Sequence, residues 1–118
     1  MPENPKRAVI SVGTLPEVVS LREAVLKSVG YKVFSTARPE DALSRVRSGD
    51  CGVLLLCYSV RDLWRRQLVR EFREKCPHGR IVAITNSKMD EVPKEVDELV
   101  FGIEGAEALI DAIQGKAA

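Results

Sequence analysis

Two short apolar runs constrain the fold of this chain more than any other feature. The segments 52–57 and 81–85 are almost uninterrupted in their apolar character and are each the length of one strand. Strands of this kind are covered on both faces, as in a parallel sheet flanked by helices. Amphipathic segments of helical period separate these runs from their neighbours. This alternation predicts an α/β fold with parallel strands joined by right-handed crossovers.

The other predicted elements extend the same pattern along the chain. We predict strands at 7–12, 31–35, 52–57, 81–85 and 99–101. A weak segment interrupted by Pro93 follows the fourth strand and predicts a shortened fourth helix. The pattern predicts a three-layer, flavodoxin-like, doubly wound sheet of five parallel strands in the order 2-1-3-4-5. We expect one domain over 7–114, with a disordered N-terminus at 1–6 and a C-terminal tail at 115–118.

The first helix has a recognisable start and an apolar stripe. Thr14 and Glu17 have the spacing of a capping box, and Pro16 falls in the first turn, where a missing N–H costs nothing. We therefore predict that Thr14 caps this helix. Its predicted inner face comprises Val18, Leu21, Val25 and Val29.

Composition excludes several classes of function. The chain has 18 basic and 17 acidic residues, a formal net charge of +1, so nucleic acid and anionic membranes are not expected as partners. The longest apolar runs are too short for a transmembrane helix, and the N-terminus has no apolar core of a signal peptide. Cys51, Cys57 and Cys76 include no Cys-x-x-Cys pair, and we expect three reduced thiols in a cytoplasmic protein.

The edge formed by the strand ends is where a doubly wound sheet binds ligands. The residues expected there carry hydroxyls, a thiol, an amide or no side chain: Gly13, Thr14, Cys57, Tyr58, Thr85, Asn86 and Gly102. No glycine-rich phosphate loop follows the first strand, which argues against a nucleotide or flavin cofactor. We therefore expect no catalytic group, no metal and no cofactor at this edge.

Several short segments, taken in order, resemble the receiver domain of bacterial two-component response regulators (CheY-like). The resemblance covers nearly the whole chain. The segments are Val-Gly-Tyr-Lys-Val at 29–33, the helix entry at 36–43, the strands at 53–56 and 81–85, and the last helix at 107–113. The order and spacing of these segments together carry the resemblance.

The resemblance implies that the phosphorylation chemistry of the family is lost. Gly13 and Thr14 fall where receivers have two acidic residues that hold Mg²⁺, and Cys57 falls where they have the phosphoacceptor aspartate. Thr85 matches the hydroxyl that contacts the phosphoryl group. Gly102 replaces the conserved lysine of the family. One of five groups is kept, so the resemblance implies a degenerate receiver, or pseudo-receiver.

The resemblance also implies a mode of action. We expect a stand-alone, non-enzymatic signalling module that acts by protein–protein interaction. Its partner would be a histidine kinase, another receiver, an output protein or a second copy of the chain. Receivers commonly use the face around their fifth strand for this purpose, which here carries Leu99, Phe101 and Ile103. Leu99 stands where the family has a signalling aromatic residue.

Two alternatives remain open. The chain could accept a phosphoryl group on another carboxylate, such as Asp62 or Glu17. It could instead be a thiol-based sensor that uses Cys57, with Arg61 or Lys88 lowering the pKa of the thiol. We favour a space-filling role for Cys57, because free cysteine is most often a small buried apolar residue.

Two clusters of charged or polar residues could each have either a binding role or a purely structural one. The third helix carries a basic stripe, and the fourth strand leads into a polar turn at 85–88 that could bind a small anion. We favour a solvated helix face and a capping turn for these, because such patterns usually have those roles. The stripe consists of Arg61, Arg65, Arg66, Arg70, Arg73 and Lys75.

Overall fold

The fold is seen in a computed structural model, which describes residues 8–49, 52–85, 95–102 and 105–115. The strands are β1 (Ala8–Val12), β2 (Lys32–Thr36), β3 (Val53–Cys57), β4 (Arg80–Thr85) and β5 (Glu98–Phe101). The helices are α1 (Pro16–Ser28), α2 (Pro39–Arg47), α3 (Asp62–Lys75) and α4 (Gly105–Gln114). Measured by length and hydropathy, no helix in these ranges qualifies as a membrane span.

The five strands form one parallel sheet in the order β2-β1-β3-β4-β5. The predicted architecture and strand order are therefore confirmed. The central strand β3 pairs with β1 on one side and with β4 on the other, so that Leu54 is opposite both Ile10 and Ile81. The predicted shortened fourth helix, with Pro93, falls at 86–94 and lies outside the described residues.

The core lies in two layers, one on each face of the sheet. All five residues of β3 are buried, as its apolar run predicts. Because side chains alternate along a strand, Leu54 and Leu56 join the cluster that packs with α2 and α3. Val53 and Leu55 join the cluster that packs with α1 and α4. Cys57 continues this second set and therefore points to the α1 side.

The predicted capping box of α1 is wrong. The helix begins at Pro16, its N-cap residue is Leu15 in an extended conformation, and no side chain caps it. The side chain of Thr14 donates instead to the carbonyl oxygen of Ser59, at 3.4 Å. The Thr14 hydroxyl therefore makes a long-range hydrogen bond and does not cap α1.

The predicted inner face of α1 is also wrong in part. The buried residues of this helix are Val19 and Leu26, whereas Leu21 is 67% exposed. Apolar residues recur along two neighbouring stripes of α1, so that spacing alone does not select the face that is buried. Packing of α1 beside β2 and α4 selects the stripe that includes Val19 and Leu26. The predicted stripe lines a cavity, described below.

The cysteines differ from the expectation of three reduced thiols. Cys57 is free and buried, but Cys76 is disulfide-bonded, and Cys51 lies outside the described residues. Cys76 is the C-cap residue of α3. Four residues later, the backbone N–H of Arg80 donates to the carbonyl oxygen of Gly52 at 3.0 Å, at the edge where β3 and β4 begin.

Candidate functional site

The ends of β1 and β3 meet in a close contact between Gly13 and Cys57. Both residues are buried, and Cys57 is 2% exposed. A Cβ atom built on Gly13 would lie 2.9 Å from the Cβ of Cys57 and 3.0 Å from Cγ2 of Val19. Carbon atoms in van der Waals contact lie about 3.5–4.0 Å apart. This backbone therefore has no room for a side chain at position 13.

The loops after β1 and β3 are joined by hydrogen bonds. The backbone N–H of Thr14 donates to Oγ of Ser59 at 2.9 Å, and the Thr14 hydroxyl donates to the carbonyl oxygen of Ser59. The N–H of Val60 donates to the carbonyl oxygen of Cys57 at 3.1 Å and makes a tight turn. These bonds link the two loops at the switch point of the sheet, where a doubly wound fold binds its ligands.

Tyr58 is fixed through its backbone from two sides. Its N–H donates to the carbonyl oxygen of Ile84 at 2.7 Å and extends the pairing of β3 with β4. Its carbonyl oxygen accepts a hydrogen bond from Nη1 of Arg65 at 3.1 Å. The loop after β3 is thus held by β4 and α3 as well as by the loop after β1.

Thr85 and Gly102 lie at the ends of the next two strands. Thr85 is buried and is paired in register with Phe101, which places Gly102 one residue beyond that pair. A Cβ atom on Gly102 would meet the carbonyl oxygen of Thr85 at 3.8 Å, an ordinary contact distance. In contrast to Gly13, position 102 has room for a larger side chain.

The residues at this edge do not suit a Mg²⁺ ion. Mg²⁺ prefers oxygen ligands that include carboxylates, and Gly13, Thr14 and Cys57 provide none. Within the described ranges, no group of three or more His, Cys, Asp or Glu side chains is placed to hold a metal. The donor set therefore does not fit the ion that phosphoryl transfer at such an edge would require.

Cys57 has a cationic neighbour that the sequence reasoning missed. Burial acts to raise the pKa of the Cys57 thiol, but hydrogen bonds from Arg22 and Ser59 and the charge of Arg22 lower it below its usual value. The sequence analysis expected Arg61 or Lys88 to lower the pKa of this thiol. Arg61 is the exposed N-cap residue of α3, and Lys88 lies outside the described residues. Strand alternation points Cys57 toward α1 and was the signal that could have indicated Arg22.

The two carboxylates considered as substitute acceptors lie in other settings. Asp62 accepts a hydrogen bond from Nε of Arg66 at 2.7 Å and pairs with Nη2 of Arg65 at 3.5 Å. Hydrogen bonds from Arg66 and, to a smaller extent, from Arg65 hold the pKa of the Asp62 carboxyl below its usual value. Glu17 is an exposed residue in the first turn of α1.

The basic stripe of α3 is partly used within the fold. Arg65 contacts the Tyr58 backbone, and Arg73 donates to the carbonyl oxygens of Gly79 and Glu95 at 2.7 and 2.8 Å. Arg73 also pairs with the Asp97 carboxylate. The polar turn at 86–88 lies outside the described residues.

The proposed docking residues fall on an edge of the sheet. β5 is the last strand on the β4 side, and Leu99 within it is 39% exposed while Phe101 is half-buried. Ile103 lies outside the described residues. Leu99 is one of five large hydrophobic residues that the described chain exposes, the others being Leu15, Leu21, Val29 and Leu63.

Comparison with solved structures identifies the fold. A receiver domain protein from Clostridium thermocellum superposes with a TM-score of 0.80 at 15% identity, covering 92% of each chain. The chemotaxis response regulator CheY4 of Vibrio cholerae gives 0.79 at 16% identity, covering 93% of this chain and 98% of that one. The response regulator TrrA of Thermotoga maritima, in complex with Mg²⁺-BeF, gives 0.78 at 18% identity, with the same coverage.

The chain therefore has the fold of CheY-like response regulator receiver domains, as the sequence resemblance implied. No protein-family model matches the sequence, and no curated protein matches it.

Proposed function

We propose that this protein is a degenerate receiver that acts in signal transduction by binding another protein, without phosphorylation of an aspartate. The contact between Gly13 and Cys57 carries this proposal. It leaves no space for an acidic side chain at position 13, and it puts a buried thiol at the position of the acceptor.

The losses act on the same chemical step. A transferring phosphoryl group needs cations to balance the charge that develops on its oxygens. Without carboxylates at positions 13, 14 and 57 no Mg²⁺ is held, and Gly102 offers no ammonium group. TrrA was solved with Mg²⁺-BeF, which makes it a suitable protein for comparing the two strand edges. The Thr14 N–H and hydroxyl are already hydrogen-bonded to Ser59.

The proposed docking surface is the β5 edge with Leu99 and Phe101; Ile103, which belongs to the same prediction, lies outside the described residues. Exposed apolar side chains on an edge strand favour contact with another protein. The partner would be a histidine kinase, another receiver, an output protein or a second copy of this chain.

We further propose a cytoplasmic location. The disulfide at Cys76 provides a test of this location. Thiols are counted in protein that is quenched with acid directly from cells, and a reduced Cys76 in that sample supports the cytoplasmic location.

Incubation with acetyl phosphate and Mg²⁺, followed by intact-mass measurement, tests the loss of phosphorylation. We expect no added phosphoryl group on the wild-type chain. The variant Cys57→Asp is the matched control for the acceptor alone, and we expect it to remain unmodified because metal ligands and lysine are still missing. A stoichiometric, acid-labile adduct on the wild type would contradict the proposal, and its loss in Asp62→Asn would assign it to Asp62.

A second candidate function, a thiol-based sensor, is favoured by the contact of Arg22 with Cys57. A cation that stabilises the thiolate is what distinguishes reactive from inert cysteines. Burial of the thiol opposes this role, since an oxidant or electrophile must reach it. Formation of a sulfenic acid on Cys57 under dilute hydrogen peroxide, trapped with dimedone in the folded protein, tests this candidate.

A further inference from the structure

A cavity of about 160 Å³ lies between α1, α4 and the ends of β4 and β5. It is lined by the stripe of α1 that neighbours the buried Val19–Leu26 stripe. Most of its wall is apolar and includes Val18, Val25 and Leu109. These residues of α1 belong to the stripe that the sequence predicted to be covered, so the fold leaves an apolar surface open at this point.

The described lining of this cavity includes one charged side chain. Among the described residues that line the cavity, Arg22 alone is charged. It follows Leu21, which is largely exposed and lies at the cavity wall as well. A guanidinium group presents donors in a planar fork that matches a carboxylate, and such charged pairs are among the stronger hydrogen bonds.

The size of the cavity limits what it can hold. An apolar cavity of about 150 Å³ is large enough to bind benzene. One aromatic ring or a short aliphatic chain therefore fits here. The apolar wall stabilises the hydrocarbon part of such a ligand, and Arg22 favours an anionic group at one end.

We propose that this cavity is a binding site for a small, largely apolar monocarboxylic acid, held through its carboxylate by Arg22. Its hydrocarbon part packs against Val18, Val25 and Leu109. The proposal goes beyond the signalling role and does not depend on the loss of phosphorylation, since Gly102 is the one position shared with the phosphorylation edge.

The arrangement couples the ligand to the end of β3. Arg22 lines the cavity and also lowers the pKa of the Cys57 thiol, so a carboxylate in the cavity competes with the thiol for the same guanidinium. Coupling between two sites is reciprocal. A bound carboxylate would therefore change the environment of Cys57, and a change at Cys57 would alter affinity for the carboxylate.

Benzoate is a suitable probe, with benzyl alcohol as an uncharged analogue of similar size. We expect benzoate to shift the methyl NMR signals of Val18, Val25 and Leu109 saturably, together with the ¹³Cβ signal of Cys57. Benzyl alcohol should bind at least about tenfold more weakly, because a hydrogen bond to a charged group contributes about 1.5–3 kcal/mol.

Variants separate the roles of charge and volume. Arg22→Gln should weaken benzoate binding about tenfold or more, while Arg70→Gln, an exposed arginine on α3, should leave it unchanged. Val25→Phe keeps Arg22 and fills the cavity, and should abolish binding even if Arg22→Gln proves unstable. The proposal is overturned if benzoate causes no saturable shift, if benzyl alcohol binds equally well, or if Val25→Phe still binds benzoate.

Discussion

Gly13 and Cys57 are matched to each other: a Cβ atom on the glycine would lie 2.9 Å from the Cβ of the cysteine. This pair joins the ends of β1 and β3, the two strands that flank the switch point of the sheet. The absence of an acid at position 13 is thus tied to the packing at position 57.

Adding one methyl group at Gly13 should destabilise the protein. We expect Gly13→Ala to lower the free energy of unfolding by about 1–3 kcal/mol, because overpacking forces neighbouring atoms apart. Gly102→Ala is the matched control and should change it by less than about 0.5 kcal/mol, since its Cβ meets one atom at an ordinary distance. Urea denaturation measures both values, and equal effects would argue against the close contact.

Removing the hydroxyl of Ser59 should weaken the link between the loops after β1 and β3. Ser59→Ala removes the acceptor of the Thr14 N–H, and we expect a loss of about 0.5–1.5 kcal/mol in the free energy of unfolding. Hydrogen exchange of the Thr14 amide should become faster. Ser44→Ala, which removes an exposed hydroxyl within α2, should leave that amide unchanged; unaltered exchange in Ser59→Ala would show that the bond does not hold the loops together.

The Cys57 thiol should titrate below its ordinary pKa, and Arg22→Gln should raise that pKa. Burial alone would raise the pKa, so the wild-type value depends on Arg22 and Ser59. The ¹³Cβ shift of Cys57 measured against pH reports it, with Arg70→Gln as the control. A wild-type pKa at or above about 8.5, the value of a free thiol, would contradict the role of Arg22.

The same interaction should make stability depend on pH. Because the folded pKa is lowered, the thiolate stabilises the fold fully above the unfolded pKa of about 8.5, and this contribution is lost as the pH falls through the folded pKa. The advantage of wild type over Arg22→Gln in free energy of unfolding should therefore be larger at about pH 9 than at about pH 6. An advantage independent of pH would show that Arg22 acts by packing alone.

A charge on the β5 edge should disrupt binding without unfolding the protein. Leu99 is partly exposed, so we expect Leu99→Asp to change the free energy of unfolding by less than about 1 kcal/mol. Light scattering after size exclusion tests for a second copy, and co-purification tests for another protein. Leu63→Asp, at an 82% exposed leucine in the first turn of α3, is the control. Complexes that survive Leu99→Asp but not Leu63→Asp would place the docking surface elsewhere.

Much of the fold could be predicted because its signals are local. The run at 53–57 is buried on both faces, as its uninterrupted apolar character indicated. The predicted strand order followed from the alternation of strands and helices, and the sheet confirms it. The burial of α1 did not follow, since Val18 and Val19 fall on neighbouring apolar stripes and packing alone decides between them.

The sequence alone determined the parallel sheet, its strand order and the residues that reach its edge, because apolar periodicity and chain connectivity specify these. Only the tertiary structure decided that Gly13 touches Cys57, that Thr14 binds Ser59 and that Arg22 reaches the thiol. These contacts join residues far apart in the chain. They depend on the orientation of the helices and the packing of the loops against the sheet, which local patterns of side chains do not specify.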